Sequence, residues 1–311
     1  MFTEFIHIGG IIAPIFLTVA VGYGLVRFKI VRPEVSDGLA KVAFYLGLPI
    51  LLFLSLCETD LRTAASWRQP ITANVLLVIF VIFTLWIARL LRLGPDKKGV
   101  FSQASFRSNM AYMGLPLCMN AFGAGEFHNA VLLLAYLIPM YNVLAVVVLT
   151  LTRCKTLCWE NIRPAMMSVA KNPLIIAVAV GIVFSLLQIR LHPVLLKTLK
   201  PIGDASLPIS LISVGCSLRL SRVFTGSRLL LWVSFLKLIV YPAFFYAVLV
   251  FLGFPRAFVQ AGVIMLATPT AIASYVMARE MGGDEEFAAK AVMFTTLASA
   301  ITLAAWLAIV M

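Results

Sequence analysis

Acidic side chains are scarce in this chain: 13 Asp and Glu among 311 residues, against 25 Lys and Arg, with charges of both signs making up only 12% of the sequence. Soluble domains carry roughly 25% charged residues, and the shortfall excludes an ordinary soluble fold. Cysteine is equally sparse and unpatterned. Cys57, Cys118 and Cys216 lie in apolar runs and Cys154 and Cys158 beside a basic loop, with no CxxC pair and no Cys/His cluster. Neither a disulfide framework nor a zinc site is indicated. The patterns GxxxxGKS, GxxxxGKT and HExxH are missing, so nucleotide-driven pumping and zincin chemistry are not expected. Gly203-Asp204 has no second membrane aspartate motif beside it, which argues against an intramembrane protease. The chain is therefore expected to be no enzyme and to hold neither metal nor cofactor.

What is abundant is apolar surface. The chain is 62% hydrophobic with a mean hydropathy of +1.01, and a spanning helix needs about 20 such residues. Breaking the sequence at charge and Gly/Pro clusters leaves ten stretches, near 8–28, 38–57, 71–91, 100–123, 127–152, 168–188, 198–218, 229–252, 257–279 and 287–310. The N-terminal MFTEFIHIGG has no basic n-region or small-residue cleavage site, so the first stretch is expected to be a retained helix. No gap is long enough for a soluble domain, and function is expected inside an all-α polytopic bundle in the lipid bilayer.

The basic excess is then a matter of sidedness, a stronger reading than nucleic-acid binding. Loops 1–2, 3–4, 5–6, 7–8 and 9–10 together hold fifteen Lys and Arg, among them Arg163, Lys155, Arg219 and Arg222; the opposite loops hold six, Arg62, Arg68, Arg190, Lys197, Lys200 and Arg256. The richer side is expected to be cytoplasmic, placing both termini outside.

Shifting the sequence by 159 positions aligns Pro14, Val19, Ala20, Val21 and Gly22 with Pro173, Val178, Ala179, Val180 and Gly181. The same shift aligns Leu48-Pro49-Ile50 with Leu207-Pro208-Ile209, Lys41 with Lys200, Cys57 with Cys216 and Gly94 with Gly253. Two five-helix repeats follow, residues 1–155 and 156–311. Five is odd, so the second begins on the opposite membrane face and the repeats are inverted. Such repeats mark secondary transporters, with the binding site near midplane where spans are interrupted by Gly or Pro.

Two spans carry that interruption. Helix 4 holds Asn109 and, further on, Met113-Gly114-Leu115-Pro116; helix 9 holds Pro269, Thr270 and Ser274 in an otherwise apolar run. Proline removes a backbone donor and displaces the carbonyl four residues back. Unwound backbone survives at that depth only where protein or a water-filled cavity receives it. Broken helices that cross would aim positively polarised N-termini at an anion, so a small organic anion is the expected ligand. A lone proline is also compatible with a simple kink, and Asn109 with a helix-to-helix hydrogen bond.

Ionisable residues within spans are functional hypotheses by default. Arg107 either attracts an anion or snorkels to the cytoplasmic face. Asp204 either carries a proton or pairs with Lys200 one turn away. Lys237, midway along helix 8, is the remaining candidate for charge or coupling, and Lys290 is expected to pair with Glu286. His7, His128 and His192 fall near the outer surface and are read as interface residues.

The run Asn109-Met110-Ala111-Tyr112-Met113-Gly114-Leu115-Pro116-Leu117 resembles the helix 4 motif N-T-L-V-M-G-I-P-L of the auxin efflux carrier family, which includes the plant PIN-formed carriers and bacterial malate permease-like relatives. The segment PTAIASYVMARE from Pro269 to Glu280 resembles its helix 9 motif P-Q-G-I-V-P-F-V-F-A-K-E, and Ala291-Val292-Met293-Phe294 resembles the A-V-I-F that follows. The Asn172-Pro173 opening of helix 6 is also similar. The resemblance implies ten helices in two inverted repeats, with helices 1, 2, 6 and 7 as a scaffold, often dimeric, and helices 3–5 and 8–10 as a mobile transport domain. It also implies an anion carboxylate near a crossing of helices 4 and 9, with Asn109 and Asn172 as contacts. The chain departs from the plant pattern where Ser274 replaces the second helix 9 proline and where only about fifteen residues join helices 5 and 6.

These readings converge on a secondary carrier of small organic anions, carboxylates such as malate or auxin-like acids, in a bacterial inner membrane. Proton coupling or none is expected, since no acid cluster resembles a sodium cage. The alternatives are a sodium-coupled symporter of the bile-acid type and a membrane sensor that binds the anion without moving it.

Overall fold

The computed structural model describes residues 2–58, 66–154, 167, 171–218 and 228–311. The expected repeat boundary at 155/156, Cys158, and the loop residues Arg62, Lys155, Arg163, Arg219 and Arg222 lie outside the described residues. The rest is helical: α1 (Phe2–Arg27), α2 (Pro33–Val42), α3 (Leu48–Cys57), α4 (Arg68–Leu90), α5 (Pro95–Phe106), α6 (Leu115–Cys154), α7 (Pro173–Leu186), α8 (Pro193–Ser217), α9 (Arg228–Phe235), α10 (Tyr241–Phe251), α11 (Arg256–Ala267), α12 (Ile272–Glu280) and α13 (Glu285–Val310). Within α6 the chain bends at Gly123, whose φ of 71° with ψ of −179° is open only to glycine.

Among the described residues, six segments are long and apolar enough to cross a membrane: Ile8–Arg27, Gly38–Cys57, Arg68–Leu90, Phe127–Thr152, Arg228–Phe251 and Glu285–Val310. They coincide with six of the ten expected stretches. Expected spans 4 and 9 are each divided, span 6 is the shorter apolar helix α7, and span 7 is α8, which carries Lys197, Lys200 and Asp204. The helices also face the way bilayer helices must. Along α4, Ile71, Val75, Ile79, Ile82 and Trp86 are exposed at helical spacing, while Thr84 points inward and shares a 2.6 Å hydrogen bond with Ser102. An apolar outer stripe over a polar inner contact suits hydrocarbon, not water.

Among the described residues, three five-residue π-turns, Ala43–Gly47, Met110–Gly114 and Leu236–Val240, interrupt the α geometry. Each ends two residues before a proline: Pro49, Pro116 and Pro242. The proline ring excludes the carbonyl four residues back, and widening the preceding turn relieves the clash. Two of the freed carbonyls find donors elsewhere. Tyr112 O accepts from Ser210 Oγ at 3.1 Å, and Leu238 O accepts from Trp306 Nε1 at 2.8 Å.

The chain gathers into two compact units. The first comprises Met1–Gln69, Ala111–Ala135 and Ala170–Leu218, the second Pro70–Met110, Tyr136–Val169 and Arg219–Met311. In the first, α1 packs on α8 and α3 on α7 through glycines that admit no side chain. A Cβ on Gly22 would lie 2.2 Å from Ile212 O, one on Gly215 1.9 Å from Val19 O, and one on Gly181 3.2 Å from Phe53 O. Gly22 and Gly181 are equivalent under the 159-residue shift, and so are their neighbours Phe53 and Ile212. Close backbone approach through glycine is how helices associate where lipid supplies no hydrophobic drive.

In the second unit α13 packs against α5, α9, α11 and α12, and α10 against α11. Its interior holds the buried rings of Phe101, Phe106, Phe245 and Phe258, with Phe80 stacked on Tyr241 at 4.3 Å between centroids.

Candidate functional site

Two chain breaks meet inside the second unit. Helix α11 stops at Ala267 because Thr268 precedes a proline, which forces it extended (φ −60°, ψ 154°). Pro269 offers no N–H, and the carbonyl it would have served, Met265 O, accepts instead from Thr268 Oγ1 at 2.7 Å. Helix α5 stops at Phe106, and Arg107 turns extended (φ −79°, ψ 104°). Ser108 and Thr270 then pair as one antiparallel bridge. The Asn109 N–H donates to Pro269 O at 2.9 Å and the Ala271 N–H to Arg107 O at 3.0 Å.

An unpaired backbone group in hydrocarbon costs several kcal/mol, and the side chains at this crossing remove most of that cost. Thr270 Oγ1 donates to Ala104 O at 2.7 Å, closing the end of α5. The Thr270 N–H donates to Thr295 Oγ1 of α13 at 3.1 Å. Ser108 Oγ donates to Leu266 O at 3.2 Å. Helix 4 is thus interrupted at Arg107–Asn109, whereas Gly114-Leu115-Pro116, where the sequence suggested the break, carries only a π-turn. The π-turn absorbs the clash of Pro116 with Tyr112 O, and that carbonyl accepts from Ser210 Oγ instead.

Two cations are buried at the crossing. Lys237 is fully buried and Arg107 is 8% exposed. Arg107 Nη2 donates to Asn142 Oδ1 at 2.6 Å and Nη1 to the thioether of Met277 at 2.6 Å. Lys237 Nζ donates to Ser108 Oγ at 2.8 Å and to Leu266 O, and lies 5.4 Å from the centre of the Tyr241 ring. Tyr141 links the group, its hydroxyl lying 3.3 Å from Ser108 Oγ and 3.2 Å from the Tyr241 hydroxyl. Among the described residues neither cation has a carboxylate partner. Both sit where half-helices end, Arg107 directly after α5 and Lys237 on the penultimate carbonyl of α11, so each meets the negative end of a helix dipole.

Helix α12 opens at Ile272 after Ala271, which supplies no side-chain cap, and its first turn carries Ser274, whose buried Oγ has no hydrogen-bond partner among the described residues. Asn109 is 2% exposed, and its side chain makes no hydrogen bond to a described residue.

Of the residues singled out from sequence, Arg107, Asn109, Lys237, Pro269, Thr270 and Ser274 all belong to the second unit. Met113, Gly114, Pro116, Asn172 and Asp204 belong to the first. There Met113, Gly114 and Pro116 are buried in and after the π-turn. Asn172 Oδ1 accepts from the Leu174 N–H at 2.9 Å, capping α7, and Asp204 lies exposed on α8. Lys290 pairs with Glu286 at 2.8 Å. Sequence reading passed over Ser108, Tyr141, Asn142, Tyr241 and Met277. Only Asn142, an amide in the middle of an apolar span, carried a signal that could have marked it.

Long apolar helices with inward polar contacts, and backbone breaks sealed by their own side chains, define a polytopic integral membrane protein. The chain matches the family described as "Membrane transport protein" over residues 7–158 and again over 157–307. It belongs to that family, the auxin efflux carrier type of membrane transport protein. Among its curated relatives, a protein of Rhizobium meliloti (strain 1021) named "Putative malonate transporter" is 22% identical over 96% of this chain and 94% of its own length. An uncharacterized transporter of Methanocaldococcus jannaschii is 20% identical over 94% of this chain and 95% of its own. Family and relatives alike are named as membrane transporters.

Proposed function

We propose that the chain is a secondary carrier of small organic anions, carboxylates of the malate, malonate or auxin-like kind, and that the anion binds at the crossing of the two broken helices. The observation that carries this reading is the pair of buried cations, Arg107 and Lys237, without a described carboxylate partner, beside the free amide of Asn109 and the uncapped start of α12. Buried charge is costly unless paired, and an entering carboxylate supplies the missing partner. The hydroxyl of Ser274 and the amide of Asn109 offer donors to its oxygens. The name of the Rhizobium relative supports the same substrate class.

The ten-helix inverted repeat is part of this proposal. It is supported by the two successive family matches and by the equivalence of Gly22 at Ile212 with Gly181 at Phe53 under one shift. The grouping of α1–α3, α7, α8 and the first part of α6 in one unit, and of α4, α5, α9–α13 and the remainder of α6 in the other, supports a scaffold containing helices 1, 2, 6 and 7. In this reading the site is exposed to each side in turn. Both termini lie outside the cytoplasmic membrane, and two copies associate through the scaffold, an inference that rests on the family likeness.

Uptake of radiolabelled malonate and malate into proteoliposomes tests the proposal. Saturable uptake by the intact chain, abolished in Asn109→Ala, is the expected result. Specific binding of the acids without uptake would leave a sensor, and neither binding nor uptake across a panel of mono- and dicarboxylates would overturn the anion reading.

A further inference from the structure

Lys237 is a buried amine held by two oxygens and an aromatic face, a setting that suits a bound cation. Leu266 O is a carbonyl at the C-terminal end of a half-helix, the kind of group that coordinates sodium in carriers with broken helices. Ser108 Oγ is a second oxygen, set on the other broken strand. The face of Tyr241 closes a third side, a contact that attracts a cation and would repel the lone pair of a neutral amine. Ser108 donates to Leu266 O and accepts from Lys237 and Tyr141, so its oxygen meets the lysine as an acceptor. The lysine also lies in the π-turn Leu236–Val240, whose extra residue sets the register that carries Nζ to the crossing.

We propose that Lys237 is a tethered cation, occupying the place where a free alkali ion would otherwise join the two broken helices, and that the pocket it fills is specific for a monovalent cation. The side chain bridges one oxygen from each break, Ser108 on the α5 side and Leu266 on the α11 side, and so fixes the crossing without an ion from solution. A carrier built this way needs no sodium. This refines the coupling of the proposed carrier and rests on that reading only for its transport arm.

The test uses the full chain in detergent and compares thermal unfolding of the wild type, Lys237→Ala and Lys237→Met in choline, sodium, potassium and n-propylammonium chloride at equal ionic strength. Propylammonium is the fragment that the alanine variant lacks. The wild type is expected to unfold at one temperature in all four salts. Lys237→Ala is expected to unfold lower in choline and to recover by several degrees, saturably, in propylammonium. Lys237→Met, which fills the space without the charge, is expected to stay low in every salt. The proposal is overturned if Lys237→Met matches the wild type, or if Lys237→Ala is indifferent to propylammonium, sodium and potassium alike. Should the variants fail to fold, the wild type decides: uptake or stability that requires sodium or potassium overturns the proposal, and independence of both upholds it. A chain that moves no tested acid would sink the carrier reading while the unfolding arm still answered this one.

Discussion

The backbone N–H of Asn109 donates to the carbonyl of Pro269 across 2.9 Å, so two helix breaks 160 residues apart in sequence are one structural element. Each break supplies what the other lacks, an N–H from one side and a carbonyl from the other, returned through Ala271 and Arg107. Neither could exist alone at membrane depth. Residues at the crossing should therefore act as a unit in substitution experiments.

Asn109→Ala keeps the backbone bond to Pro269 and removes only the free amide. Uptake of the transported anion is expected to fall at least about tenfold, equivalent to about 1.4 kcal/mol, while the unfolding temperature stays near that of the wild type. A large drop in thermal stability would instead make Asn109 a structural residue.

Arg107→Lys preserves charge but loses the planar fork that reaches Asn142 and Met277 together. Arg107→Gln loses the charge as well. Apparent affinity for the anion, read from the concentration dependence of uptake, is expected to weaken in both and further in Arg107→Gln. Equal affinities in the two variants would remove Arg107 from anion binding.

Thr270→Val is nearly isosteric yet strips the hydroxyl that closes the end of α5 at Ala104 O. A buried acceptor left unpaired costs about 1–3 kcal/mol, and Thr270 is fully buried. Thermal unfolding of purified protein should show the loss, and Thr270→Ser, which keeps the hydroxyl, should recover most of it.

Gly22→Ala would drive a Cβ to within 2.2 Å of Ile212 O, whereas a Cβ on Gly38 in α2 meets nothing within 4 Å. Overpacking of this kind costs about 1–3 kcal/mol; alanine for glycine in an open helical position gains up to about 1 kcal/mol. Unfolding temperatures are expected to move in opposite directions for the two variants.

Trp306→Phe removes the donor to Leu238 O, the carbonyl displaced by Pro242. Destabilisation of about 1–3 kcal/mol is expected. In Trp306→Phe combined with Pro242→Ala the loss should shrink, because an alanine N–H can serve that carbonyl within the helix. Additive losses in the double variant would separate the tryptophan contact from the proline.

Sequence alone determined that the protein lives in a bilayer, included among its ten apolar stretches the six that are long and apolar enough to cross it, and marked Pro269 within the interrupted part of helix 9. Each of these follows from local chemistry: the transfer energy of apolar runs and the fixed ring and missing N–H of Pro269 act within a few residues. Family membership was likewise legible in the motifs around Asn109 and Pro269. The position of the helix 4 break was not. Pro116 drew attention to itself, but the π-turn before it absorbs its clash and Ser210 Oγ takes up the carbonyl it displaces, while Arg107-Ser108-Asn109 contain no residue that breaks a helix unaided. They leave it because Pro269 O and the Ala271 N–H offer them better partners from another part of the chain. For the same reason the role of Lys237 was hidden, since its oxygens come from α11 and from the broken end of α5. Tertiary structure decided these matters, because a buried polar group is satisfied by whatever lies within 3 Å of it in space, and one-dimensional spacing does not record that distance.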